Sequence, residues 1–199
     1  MLTNLPNLLT LSRILVIPVI AGLMFMGSSW AVWSALALYS YACITDWFDG
    51  YLARKWQQES PVGKFLDPIA DKLLVGALLL VMAGTNRLGF WVLPAAVIIL
   101  LREILVSGLR EFLAGLNKIQ MPVSRLAKWK TAIQMIALGF LIIGDFGPQS
   151  CLIWFDWNQL PCPWLNIGGI GLWIAALITG VTGWDYMVIG WKHMNRPGQ

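Results

Sequence analysis

Four aspartates, Asp46, Asp49, Asp67 and Asp71, stand between some of the most apolar segments of the chain. Asp46 and Asp49 are three residues apart, Asp67 and Asp71 four. Either spacing puts both carboxylates of a pair on one face of a helix. If the two helices are antiparallel neighbours, joined by a loop of about 15 residues, the pairs face each other. Four carboxylates packed this way repel. They must take up protons, sit in water at the helix ends, or gather cations between them. Oxygen-only donors select Mg²⁺, Mn²⁺ or Ca²⁺, and no nearby His or Cys points to zinc. Two ions sharing such ligands suit displacement at phosphorus. Gly50 follows Asp49 and Gly63 precedes Asp67, and such glycines let backbone approach a ligand closely. Ala53 beside Arg54 suits a flat or phosphorylated group.

The elements that position these residues are membrane helices. Of 199 residues, 58% are hydrophobic and 12% charged, about half the charged fraction of a soluble domain. Too little polar surface remains to cover a water-soluble globule. Long apolar runs predict six spanning helices, at about 8–26, 31–48, 65–83, 90–113, 128–144 and 165–191. Turn signals separate them: Gly27-Ser28-Ser29, Ser60-Pro61, Gly84-Thr85-Asn86 and Gly147-Pro148. The fold class is therefore all-α. It is a six-transmembrane-helix bundle forming one domain over 1-199, with a polar active-site cavity facing the cytoplasm. The N-terminus lacks a basic leader, and Arg13 interrupts the first apolar run, so the first segment is expected to stay in the mature protein.

Thirteen of the 14 basic residues fall on one side of this plan, with Arg87 alone on the other. The positive-inside rule makes the rich side cytoplasmic, with both termini inside. The four aspartates lie on that same side. Trp30, Trp91, Trp154, Trp157 and Trp164 mark the opposite boundary as an interfacial belt. Basic runs that would suit nucleic acid are absent. Cys43 reads as a small buried hydrophobe. Cys151 and Cys162 flank a tryptophan-rich loop and can pair if it faces an oxidising compartment. His193 reads as a solvated tail residue.

Written out, the acidic stretch is Asp46-x2-Asp49-Gly50-x2-Ala53-Arg54-x8-Gly63-x3-Asp67-x3-Asp71. It resembles, without departures, the signature of the CDP-alcohol phosphotransferases. Chain length and the six-helix plan fit as well. The resemblance implies an integral membrane enzyme with two divalent cations, Mg²⁺ or Mn²⁺, held by Asp46, Asp49, Asp67 and Asp71. Asp71 would also be the general base. Thr45, Asp49, Gly50, Ala53, Arg54, Gly63 and Asp67 would line the CDP site. Three further segments, from Asn4, Arg102 and Ser124, resemble the bacterial phosphatidylglycerophosphate synthases within that family. That implies CDP-diacylglycerol and sn-glycerol 3-phosphate as substrates, phosphatidylglycerophosphate and CMP as products, and a bacterial inner membrane location.

An acceptor that is itself a phosphate ester needs cations beyond the metals. Arg110 is the first candidate and Lys130 the second, followed by Arg102, Lys128 and Arg125. Each has a structural alternative: an Arg102–Glu103 ion pair holding helices together, or snorkelling anchors at 125, 128 and 130. Asn7, Thr10 and Arg13 recur every three residues, and either face the same cavity or cap and anchor the first helix. Glycines 168, 169, 171, 180 and 183 serve packing inside the bundle, or a dimer, which the resemblance suggests. Two other classes compete. A cation transporter would spread polar groups across the membrane depth, whereas these gather at one face. A passive anchor would not need eight positions at fixed spacing. Within the family, the alternatives accept inositol phosphate, serine or phosphatidylglycerol.

Overall fold

A segment in lipid must satisfy its backbone internally, which apolar runs of this length do as helices. The computed structural model describes residues 5–56, 61–117, 125–146 and 163–194. These form six α-helices: α1 Leu5–Met26, α2 Ser29–Trp56, α3 Pro61–Gly84, α4 Gly89–Asn117, α5 Arg125–Ile143 and α6 Pro163–Met194. A single 3₁₀ turn, Gly144–Phe146, follows α5. Among the described residues there is no strand. Pro61 and Pro163 open their helices, where a missing N–H costs nothing. Gly27 ends α1 with φ +63°, the left-handed cap that glycine adopts freely.

Among the described residues, three helices are long and apolar enough to cross a membrane: Asn7–Met26 in α1, Gly89–Leu109 in α4 and Trp164–Val188 in α6. A shorter apolar stretch, Trp129–Ile143, lies in α5. Large apolar side chains on the outside, among them Leu80, Trp91, Leu177 and Trp184, suit a lipid surround. The six predicted segments match the six helices, with one difference that matters. α2 runs on to Trp56 and α3 begins at Pro61, so the connection is residues 57–60 and not a loop of about 15 residues. Charge is compatible with helix, and Tyr51-Leu52-Ala53-Arg54-Lys55 are acceptable helix formers. The whole acidic signature except that link is helical.

α1 packs on α2 and α3, while α6 packs on α5 and α4. α2 joins the two groups through α5, and α3 touches α4 and α5 only sparsely. The core between them is built from Ile20, Met24, Leu78, Met82, Leu138 and Leu172, among others. The α5–α6 seam depends on small residues. A methyl on Gly168 would lie 2.7 Å from Leu141 Cγ and 3.0 Å from the Ala137 carbonyl oxygen. One on Gly171 would lie 2.9 Å from Ala137 Cβ. Gly169 and Gly183 press as closely on Val92 and Arg102 of α4, while Gly180 meets nothing within 4 Å. Four of the five glycines thus serve packing within the bundle.

Arg87 has a structural use. Its guanidinium donates to the carbonyls of Leu141 and Ile142 at the end of α5, satisfying groups a helix end leaves open. Trp30 and Trp91 are exposed as a belt requires, and Trp164 stacks on Phe140 at 5.7 Å. Cys43 is half-buried and packs against the core. Cys151, Cys162, Trp154, Trp157 and the Gly147-Pro148 turn lie outside the described residues, as does the side chain of His193.

Candidate active site

The first helix organises the acidic cluster. Asn7, Thr10 and Arg13 are all buried, Arg13 completely. Thr10 Oγ1 donates to Asp67 Oδ1 at 2.6 Å. Arg13 Nη1 donates to Asp46 Oδ1 at 2.6 Å and to Asp71 Oδ1 at 2.7 Å. Residues three apart on α1 therefore meet residues four apart on α3. The pairing runs in the same sense along both chains, so α1 and α3 lie parallel. The polar strip of α1 faces the acidic residues of α2 and α3.

One guanidinium nitrogen thus holds a carboxylate oxygen from α2 and another from α3. The two oxygens converge on a point where a positive charge already sits, with Arg13 as the stand-in. Both carboxylate side chains are close to half exposed, 41% for Asp46 and 45% for Asp71, so they remain open to a ligand. Asp67 reaches Thr10 rather than that point. Among the described residues no group of three or more acidic, His or Cys ligands gathers, and the side chain of Asp49 lies outside them. The converging oxygens are hard donors, and they fit a hard divalent cation better than a soft one.

A cavity of about 620 Å³ opens beside this point, between α3 on one side and α4 and α5 on the other. Asp46, Asp71, Lys72 and Glu103 line it together with Gln134 and a long apolar wall that follows α3 to Leu80. Charge lies at one end and hydrocarbon along the rest. That is the shape an amphiphile needs. Lys72 donates to Ser107 of α4, which ties the sparse α3–α4 contact at one place.

The remaining expected site residues divide. Thr45 is buried and its hydroxyl donates back to the carbonyls of Tyr41 and Ala42, at 2.8 and 3.0 Å. Gly63 is buried in the first turns of α3. Gly50, Ala53 and Arg54 lie on α2, Arg110 on α4, and Arg125 and Lys128 on α5, with side chains outside the described residues. Lys130 is buried and ion-paired with Glu103 across the α4–α5 contact. Arg102 turns the other way. Its Nη2 donates to Thr182 of α6 at 2.8 Å, and the guanidinium carbon stands 5.8 Å from the Tyr186 ring centre. It is not among the cavity-lining residues. Glu103 is bound to Lys130 of α5 and Arg102 to Thr182 of α6, so both side chains tie helices together as the structural alternative has it, each to its own partner. Neighbours in sequence point about 100° apart on a helix, so each finds a different partner.

The sequence model of the CDP-alcohol phosphatidyltransferase family matches residues 3–182. The chain belongs to that family. Three relatives carry the name CDP-diacylglycerol–glycerol-3-phosphate 3-phosphatidyltransferase. That of Rickettsia typhi is 48% identical, covering 92% of this chain and 94% of its own. That of Escherichia coli K12 is 40% identical, covering 88% of each. That of Cereibacter sphaeroides is 38% identical, covering 92% and 93%. Among solved structures, the chain is similar to the phosphatidylinositol phosphate synthase of Mycobacterium tuberculosis, crystallised with manganese and citrate. The TM-score is 0.60 at 19% identity, over 97% of this chain and 84% of that one. This likeness is one of fold.

Proposed function

We propose that this chain transfers the phosphatidyl group of CDP-diacylglycerol to sn-glycerol 3-phosphate, giving phosphatidylglycerophosphate and CMP. It is a transferase of phospholipid biosynthesis, acting as a single domain in the bacterial inner membrane with both termini in the cytoplasm. The observation that carries the reading is the convergence of Asp46 and Asp71 at the charged end of an otherwise apolar cavity. The names of the relatives support this choice of substrates.

Asp46, Asp49, Asp67 and Asp71 are the residues that would hold two divalent cations, Mg²⁺ or Mn²⁺. When bound, these neutralise the pyrophosphate and stabilise departing CMP. The chain's own groups do the rest. Thr45, Asp49, Gly50, Ala53, Arg54, Gly63 and Asp67 would line the CDP site, as the family signature implies. Asp71 takes the proton from the 1-hydroxyl of the acceptor as that oxygen bonds to the lipid-bearing phosphorus. The bond from that phosphorus to the oxygen bridging to CMP breaks, and CMP leaves with the electron pair. Arg13 fixes the Asp71 carboxylate relative to Asp46, so the base meets its substrate in one orientation. Arg110 is the first choice for the acceptor phosphate. Lys130 is second, and its pairing with Glu103 would have to loosen for it to serve. The apolar wall from Asp71 to Leu80 accommodates lipid beside the reacting headgroup.

The test is CMP release by purified protein given CDP-diacylglycerol, a divalent cation and one acceptor at a time. Glycerol 3-phosphate is expected to support release and inositol phosphate and serine are not. Turnover with another alcohol but none with glycerol 3-phosphate would overturn the acceptor assignment while leaving the reaction class intact.

A further inference from the structure

Among the described residues, one buried polar atom on the cavity wall has no hydrogen-bond partner. Gln134 of α5 is 3% exposed, and its Oε1 is buried without a hydrogen bond. It lines the same cavity as Asp46, Asp71 and Glu103. It stands four residues on from Lys130, one helical turn deeper along α5. A buried amide oxygen left without a donor is costly. A leucine or methionine of similar volume would fill the position at no such cost, as Met135 does beside it on the same wall. The position is therefore best explained by a donor that arrives with the substrates.

The chemistry of the two substrates narrows the donor. The lipid half of CDP-diacylglycerol offers ester and phosphate oxygens, which only accept. Its donors are on the cytidine, which the signature assigns to α2 and the start of α3. Glycerol 3-phosphate brings two hydroxyls. The 1-hydroxyl gives its proton to Asp71, which leaves the 2-hydroxyl. We infer that the amide of Gln134 accepts a hydrogen bond from the 2-hydroxyl of the acceptor, and so makes this residue a specificity determinant for a vicinal diol phosphate. The inference rests on the acceptor proposed above.

The acceptor analogue that tests it is 3-hydroxypropyl phosphate, which keeps the reacting hydroxyl and the phosphate but lacks the 2-hydroxyl. Wild-type kcat/KM should favour glycerol 3-phosphate by about 10- to 100-fold, because the analogue leaves Gln134 unpaired. Gln134→Leu should bring the two acceptors to within about threefold, chiefly by losing glycerol 3-phosphate turnover. Gln134→Glu, which can still accept, should keep most of the preference. A residue that merely supports packing would lower both acceptors together and leave the ratio unchanged. An unchanged ratio in Gln134→Leu, or no preference in the wild type, overturns the inference. If Gln134→Leu fails to fold, the wild-type ratio and the Gln134→Glu ratio still decide the matter. Failure of the wild type to use glycerol 3-phosphate at all would overturn the acceptor reading first, and this inference with it.

Discussion

Replacing Arg13 by methionine removes the one charge that joins α1 to both acidic helices while keeping most of the side-chain volume. The loss can be scaled from the geometry. Among the described residues, two charge-assisted hydrogen bonds disappear, at 2.6 and 2.7 Å, from a fully buried guanidinium. Such a bond removed from a buried site costs about 1.5–3 kcal/mol. Both carboxylates are close to half exposed, so water screens them and roughly half of that value remains at each. The sum is about 1.5–3 kcal/mol, which for a chain of this size lowers Tm by about 3–12 °C. The comparison that matters is between chelator and Mg²⁺. In chelator the two carboxylates of Arg13→Met repel with nothing between them. With Mg²⁺ present, a cation at the converging oxygens replaces the missing charge, and at least about half of the deficit should be recovered. Tryptophan-fluorescence melting in detergent, wild type beside variant in both buffers, gives all four values. An equal deficit in chelator and Mg²⁺ would refute the idea that a cation can bind the carboxylates that Arg13 holds, and no deficit at all would refute the buried bridge.

Three further outcomes follow from the same geometry. Asp71→Asn should lower kcat by about 10²- to 10⁴-fold while still retaining labelled CDP-diacylglycerol on a filter; near-normal turnover would remove Asp71 as the base. Gly168→Ala should destabilise by about 1–3 kcal/mol through the contact with Leu141, whereas Gly180→Ala, with open space around it, should stabilise by up to about 1 kcal/mol; melting shifts of the same sign would count against the seam. Lys130→Met and Glu103→Gln should each be worse alone than their pairing predicts, with a coupling of about 1–3 kcal/mol in the double-mutant cycle, and additive losses would mean the pair is idle.

The sequence made the acidic signature legible because spacing on a helix is a local property. The same holds for the six segments and for the choice of glycines in the last helix. What stayed hidden was the identity of neighbours. In α1 most faces are apolar, so periodicity does not say which face turns inward; Thr10 and Arg13 were two readings until α3 was seen beside them. Arg102 was grouped with the cavity-side cations, although its position one residue from Glu103 already put the two on different faces of α4. In sequence the α2–α3 link reads as long because charged residues interrupt the apolar pattern between 48 and 65, whereas only 57–60 separate the helices. Gln134 carried no motif at all. Its interest comes from a cavity and a missing partner, neither of which a one-dimensional pattern contains.

The thin contact between α3 and its neighbours α4 and α5 sets a limit on what this protein can select. A helix gripped firmly on one flank and loosely on the other yields on the loose side, whereas the glycine seam of α5 and α6 does not. Fatty chains of differing length and unsaturation then meet a compliant surface. Only the polar end, fixed by α1, measures what arrives.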